Sequence, residues 1–133
     1  MKAAKSTIVI LSLLLGMAGC QKSNVVIPDI IGCWVNPVYV DNTEGKSIVF
    51  FEKSAILPEQ ARGIQFYNDG TLIERKNGGW CGTPPISYSD FSGNWQVQKN
   101  GNIRIDVAYW GGMEHNVWKI IEITNTTLQI EAI

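Results

Sequence analysis

From residue 30 onward, apolar and polar positions alternate in short runs separated by turn residues. No stretch there carries the apolar stripe, recurring every three to four residues over three turns, that an amphipathic helix needs. The alternation predicts strands over residues 32–40 and 47–52, the second holding the nearly continuous apolar run Ile48, Val49, Phe50 and Phe51. Residues 54–62 break the pattern and read as a loop or a single helical turn. Gly63-Ile64-Gln65-Phe66-Tyr67 and Thr71-Leu72-Ile73-Glu74-Arg75 flank Asn68-Asp69-Gly70. Those three residues tolerate positive φ cheaply, so the unit reads as a β-hairpin. Residues 76–86 are rich in glycine and proline and predict irregular chain. Strands resume over 88–98, then over 103–108, where Ile103, Ile105 and Val107 alternate with Arg104, Asp106 and Ala108. The last pair covers 114–124 and 127–132. Some eight consecutive, mostly hairpin-linked strands close most naturally into an antiparallel up-and-down barrel, which leaves no exposed sheet edge. An open β-sandwich is the alternative.

The pattern begins only after a different kind of segment. Lys2 and Lys5 precede an apolar run, Ile8 to Leu15, that is too short for a membrane span of about 20 residues. It has the length of a signal-peptide core. Met17-Ala18-Gly19-Cys20 resembles the lipobox of bacterial lipoproteins. The resemblance implies cleavage after Gly19, a lipid on Cys20 and anchoring in a cell-envelope membrane. Gln21 after Cys20 favours the outer membrane. The chain then divides into a lipoprotein signal peptide (1–19), a lipidated tether (20–29) and one β domain (30–133). Losing Lys2 and Lys5 makes the exported chain more acidic than the formal −1 of the whole. That charge argues against a nucleic-acid partner.

Three cysteines are present. With Cys20 lipidated, Cys33 and Cys81 remain, and an exported protein meets an oxidising compartment. They read as a disulfide across a loop of roughly fifty residues, which would stabilise by about 4 kcal/mol, or as two buried thiols.

The segments 27–34, 66–71, 93–97, 118–120 and 128–130 carry short motifs that together resemble those of the lipocalin-like lipoproteins of Bacteroidota. Ile27-Pro28-Asp29-Ile30-Ile31-Gly32-Cys33-Trp34 is similar to a lipocalin entry turn with its Gly-x-Trp, and Gly93-Asn94-Trp95-Gln96-Val97 to a mid-chain strand. Phe66-Tyr67-Asn68-Asp69-Gly70-Thr71 resembles a hairpin of that family, and Trp118-Lys119-Ile120 with Leu128-Gln129-Ile130 the closing pair. The resemblance implies an eight-stranded, lipocalin-like barrel, often with a small apolar cavity. No basic residue near the C-terminus is placed to cover Trp34, a departure from that pattern.

Five tryptophans are many for a chain of this size. Trp34 and Trp95 read as core. Trp80, Tyr109 and Trp110 neighbour loop glycines and are the candidate ligand-binding residues, with a plug over an open barrel end as the competing reading. His115 is the only histidine; alternation sends it and Glu114 to opposite faces, so no metal site is expected. No nucleophile and base share a motif, so neither catalysis nor a cofactor is expected. The expectation is a lipid-anchored envelope domain that binds a small apolar ligand. The alternative is a protein-interaction or inhibitor module with a filled barrel that displays the 77–86 loop.

Overall fold

The computed structural model describes residues 29–79 and 85–133. Among them lie eight strands: β1 (Gly32–Asp41), β2 (Ser47–Ser54), β3 (Gly63–Phe66), β4 (Thr71–Asn77), β5 (Tyr88–Val97), β6 (Ile103–Tyr109), β7 (Gly112–Ile123) and β8 (Thr127–Ala132). They form a closed antiparallel barrel in the order β1-β2-β8-β7-β6-β5-β4-β3, β3 pairing back onto β1. Alternation explains the wall. Trp34, Phe51, Ile64, Phe66, Leu72, Ile105, Val107, Leu128 and Ile130 each occupy the inward position of their strand and form one buried core.

Every neighbouring pair runs in opposite directions, as the up-and-down pattern requires. The order around the wall departs from a sequential meander in one place. β1 lies between β2 and β3, and β2 pairs with β8. Residues 55–62 therefore cross the outside of β1 to reach β3. This strap explains an otherwise odd burial. Cys33 and Val35 flank the inward Trp34, so they point outward, yet both are buried. Leu57 lies against Val35 near Gly63, where a Cβ would meet both side chains.

Arg75 on the outer face of β4 fastens the strap. Its Nη1 donates to the carbonyls of Leu57 (3.1 Å) and Pro58 (2.9 Å). Its Nε and Nη2 grip Asp90 of the adjacent β5 at 2.6 and 2.8 Å. This two-pronged geometry is one that arginine alone among the cations supplies. At the far end of the strap, the Arg62 carbonyl accepts the Asn36 N–H at 3.3 Å. Asn36 sits at φ +53° in a β-bulge between Val35 and Val38, where Pro37 could not have joined a regular ladder. The bulge moves Tyr39 to an inward-facing position opposite Val49.

Gly93 lets two strands of the wall come unusually close. A Cβ there would lie 2.4 Å from the Asp106 carbonyl oxygen and 2.8 Å from Val107 Cα, so β5 and β6 approach at bare backbone.

Two outcomes follow from this packing. Gly93→Ala should cost about 1–3 kcal/mol, as overpacking does, read as a lower urea midpoint at unchanged slope; an unaltered midpoint would remove the close-approach argument. In reduced protein, Arg75→Ala should accelerate labelling of Cys33 by a thiol reagent. Two lost charge-assisted bonds at about 1.5 kcal/mol each give roughly a hundredfold more strap opening. Unchanged labelling would mean that the strap is held by something else.

Candidate functional site

The two ends of the barrel differ. The lower end, where the chain enters β1, is closed by apolar packing. Trp34 Nε1 donates to the Ile30 carbonyl at 2.7 Å, and Lys53 Nζ stands 4.7 Å from the ring centroid. The cover over Trp34 thus comes from β2, not from the C-terminal region. Trp95 Nε1 donates to the Tyr67 carbonyl at 2.9 Å and ties β5 to the β3–β4 turn. Above this floor, aromatic rings fill the interior. Phe66 meets Trp95 edge-on at 5.6 Å and Trp118 at 6.0 Å, and Phe51 lies 5.5 Å from Trp118. Such contacts add to the apolar burial that drives folding.

Toward the upper end the interior turns polar. Glu74 and Lys76 follow Leu72 on the inward side of β4, and Glu114 opposes Val107 on the inward side of β7. Lys76 Nζ bridges Glu74 Oε2 (2.9 Å) and Glu114 Oε2 (3.1 Å), 5.4 Å from the Phe91 ring centroid. Its side chain is only 12% exposed, and that of Glu74 21%. Burial pushes the Lys76 ammonium toward its neutral form, but the hydrogen bonds to Glu74 and Glu114 outweigh it and hold the group above the ordinary lysine range. Burial likewise raises Glu114, and hydrogen bonds from Lys76 and Asn116 outweigh it, so its carboxyl stays below the usual glutamate range.

The strap delivers a fourth charge. Arg62 Nη2 reaches Glu74 Oε1 at 3.9 Å, an ion-pair contact too long for a hydrogen bond, with its guanidinium 5.8 Å from the Tyr39 ring centroid. Beneath it is a hollow of about 40 Å³ lined by Pro37, Tyr39, Phe51, Arg62, Ile64, Glu74 and Trp118. Among the described residues, two larger hollows, about 410 and 400 Å³, are open grooves on the outer wall, one beside the strap at Arg75 and Asp90 and one along β4 and β5, and another of about 100 Å³ lies at Asn94, Gln96 and Asp106. Half-buried charges of this kind cost desolvation and are poor devices for stability alone, which marks the mouth as the candidate site.

Of the residues singled out in the sequence, Tyr109 and Trp110 lie at the β6–β7 turn on this same upper rim, ring centroids 5.8 Å apart and edge-on. Trp110 is 61% exposed. The Tyr109 ring folds back over Gly111, where a Cβ would come within 2.6 Å of it. Cys33 is a buried thiol beneath the strap, raised by that burial. Cys20, Trp80 and Cys81 lie outside the described residues, as do the signal segment and nearly all of the tether. His115 projects outward, opposite in sense to Glu114, and meets Asp106 at 2.5 Å. That bond, with one from Arg104, holds the Asp106 carboxyl below its usual range. The charged mouth itself was not among the sequence candidates. The signal for it was present: Glu74 and Lys76 share the parity of Leu72.

The sign of the pH dependence follows from the two shifts. The lowered Glu114 contributes stability that is present above an ordinary glutamate value of about 4.3 and is lost as pH falls through its own lower value. The raised Lys76 contributes stability that is complete below about 10.4 and is lost as pH rises through its own higher value. The bridge is therefore intact across the neutral range. Lys76→Met should cost about 1–2 kcal/mol at pH 7 and move the Glu114 midpoint upward in a carboxyl NMR titration. An unmoved midpoint would show that Lys76 does not hold Glu114.

Comparison with protein-family models, with curated proteins and with solved structures finds no match to this chain.

Proposed function

We propose that the chain is a lipid-anchored cell-envelope module that binds a protein partner at the upper rim of a filled barrel. One observation carries this reading. Aromatic rings occupy the interior, and the hollow that the described residues bound there is about 40 Å³, far below the roughly 300 Å³ at which small-molecule pockets begin. A small apolar ligand held inside the barrel has little support from that packing. The upper rim carries features that suit a macromolecular partner. Tyr109 and Trp110 form an exposed aromatic pair, and aromatic residues dominate the energetics of protein recognition. The described residues that flank the 77–86 loop lie at the same end, where the Gly78 N–H donates to the Ser87 carbonyl at 2.7 Å.

The anchor belongs to the same reading and rests on Met17-Ala18-Gly19-Cys20. The outer membrane is the proposed site, on the strength of Gln21. A Cys33–Cys81 disulfide is proposed with it, for the export that the signal implies. No catalytic step is part of the proposal.

Three measurements test these parts. Cys20→Ser should move the protein from the membrane to the soluble fraction, and continued firm membrane attachment would refute lipidation as the anchor. Alkylation followed by intact-mass analysis, before and after reduction, should show both thiols released only by reductant; two free thiols in the untreated protein would remove the bridge. A photo-crosslinking residue at Trp110, in cells, should give one discrete protein adduct, and a spectrum of the native protein should carry no small molecule. A stoichiometric apolar molecule, with no adduct, would reverse the choice between the two readings.

A further inference from the structure

The hollow beneath Arg62 combines features that neither folding nor the rim aromatics explain. Its floor is apolar: Phe51, Ile64 and the Trp118 ring. One wall is Glu74, whose carboxylate Oε2 is committed to Lys76 while Oε1 stands 3.9 Å from Arg62 Nη2. The other wall is Tyr39, whose ring already receives the guanidinium. Arg62 is the loosest member of the group: its side chain is nearly half exposed, and it stops short of hydrogen-bond distance. Carboxylate, aromatic face and apolar floor together are the parts that bind a cation on an alkyl stem.

We propose that this hollow is a subsite for a primary ammonium, and that Arg62 is its built-in stand-in. Charge accounting supports the exchange. Glu74 and Glu114 carry two negative charges, and Lys76 and Arg62 two positive. When Arg62 swings outward into solvent, the mouth is left with one uncompensated negative charge, which an entering ammonium restores to neutrality. Size selects the chemistry. A hollow of about 40 Å³ takes the end of one side chain or a few waters, a single water needing about 10–15 Å³ of such space. The ammonium end of a chain fits, while a planar guanidinium needs the room that Arg62 itself now fills. Resting on the protein-partner reading, the natural occupant is a lysine side chain of that partner, its ammonium on the Glu74 carboxylate above Phe51 and Trp118 and its stem passing outward along Tyr39. Arg62 lies at the end of the strap, so occupancy and the strap end are linked.

The test uses the mature protein and three probes of equal length: butylammonium, butanol and butyrate. The readout is the Trp118 indole N–H signal in a nitrogen-correlated NMR spectrum. Butylammonium should shift it, with butanol and butyrate at least tenfold weaker. Glu74→Gln should abolish the butylammonium response. Arg62→Ala should tighten butylammonium at least fivefold by removing the internal competitor, a gain that a misfolded variant cannot imitate. Equal responses to butanol would reduce the site to an apolar dimple, preference for butyrate would reverse its sign, and no gain in Arg62→Ala would remove the stand-in role. Each of these outcomes overturns the proposal. The outcomes stay separable from the protein-partner reading: amine binding without a crosslinked adduct at Trp110 leaves the subsite and removes the partner, and an adduct with an unmoved Trp118 signal does the reverse.

Discussion

A strand wedged between the two strands that the chain joins next forces the connection to climb over it. β1 lies between β2 and β3, and most of what distinguishes this barrel follows from that placement. Residues 55–62 must pass across the outer wall, so the outward side of β1 becomes an interior. Cys33 and Val35 can then be apolar on a face that would otherwise meet water. The strap has no ladder of its own, so its carbonyls need donors, and Arg75 supplies them while bonded to Asp90. The crossing ends at the mouth and leaves Arg62 opposite Glu74. One topological choice thus couples wall, clamp and site.

The second governing condition is volume. Eight strands enclose a space that side chains can fill, and here buried Trp34 is joined in the core by Phe51, Phe66, Trp95 and Trp118, whose rings meet at edge-on or tilted angles. Such packing leaves chemistry only where the rings stop. There the inward parity of β4 and β7 continues with Glu74, Lys76 and Glu114 in place of apolar residues. Their mutual bridge holds Lys76 and Glu114 in their charged forms despite burial, so the barrel carries a polar cap made of its own wall.

Much of this was legible in the chain. Alternation located the eight strands, and closure into an antiparallel barrel followed from their number and turns. The ends were read less well. β2 continues to Ser54 and β4 to Asn77, because ladder partners on neighbouring strands extend them past the point where local polarity suggests a stop. The order of β1 and β2 was not legible. Which strand pairs with β3 or β8 depends on contacts distant in sequence, and residues 54–62 carry no local mark of a strap as opposed to a hairpin loop. Pro37 carries a signal for the bulge, since proline cannot serve a regular ladder, but the first strand was read straight through it over residues 32–40. The mouth charges were readable by parity from Leu72, whereas Arg62 was not, since its position depends on the crossing. Tyr109 and Trp110 were marked by the loop glycines that follow them, yet neither sequence nor pattern tied them to the charged end.

The strand order carries the account, and cross-strand NOEs in the folded protein measure it directly. The account predicts contacts between Trp34 and Ile64 across β1–β3, and between Val49 and Ile130 across β2–β8. A sequential meander would instead bring β2 against β3 and β1 against β8. Cross-strand NOEs of that second set, in place of the first, would contradict the strap, the clamp and the origin of the charged mouth together.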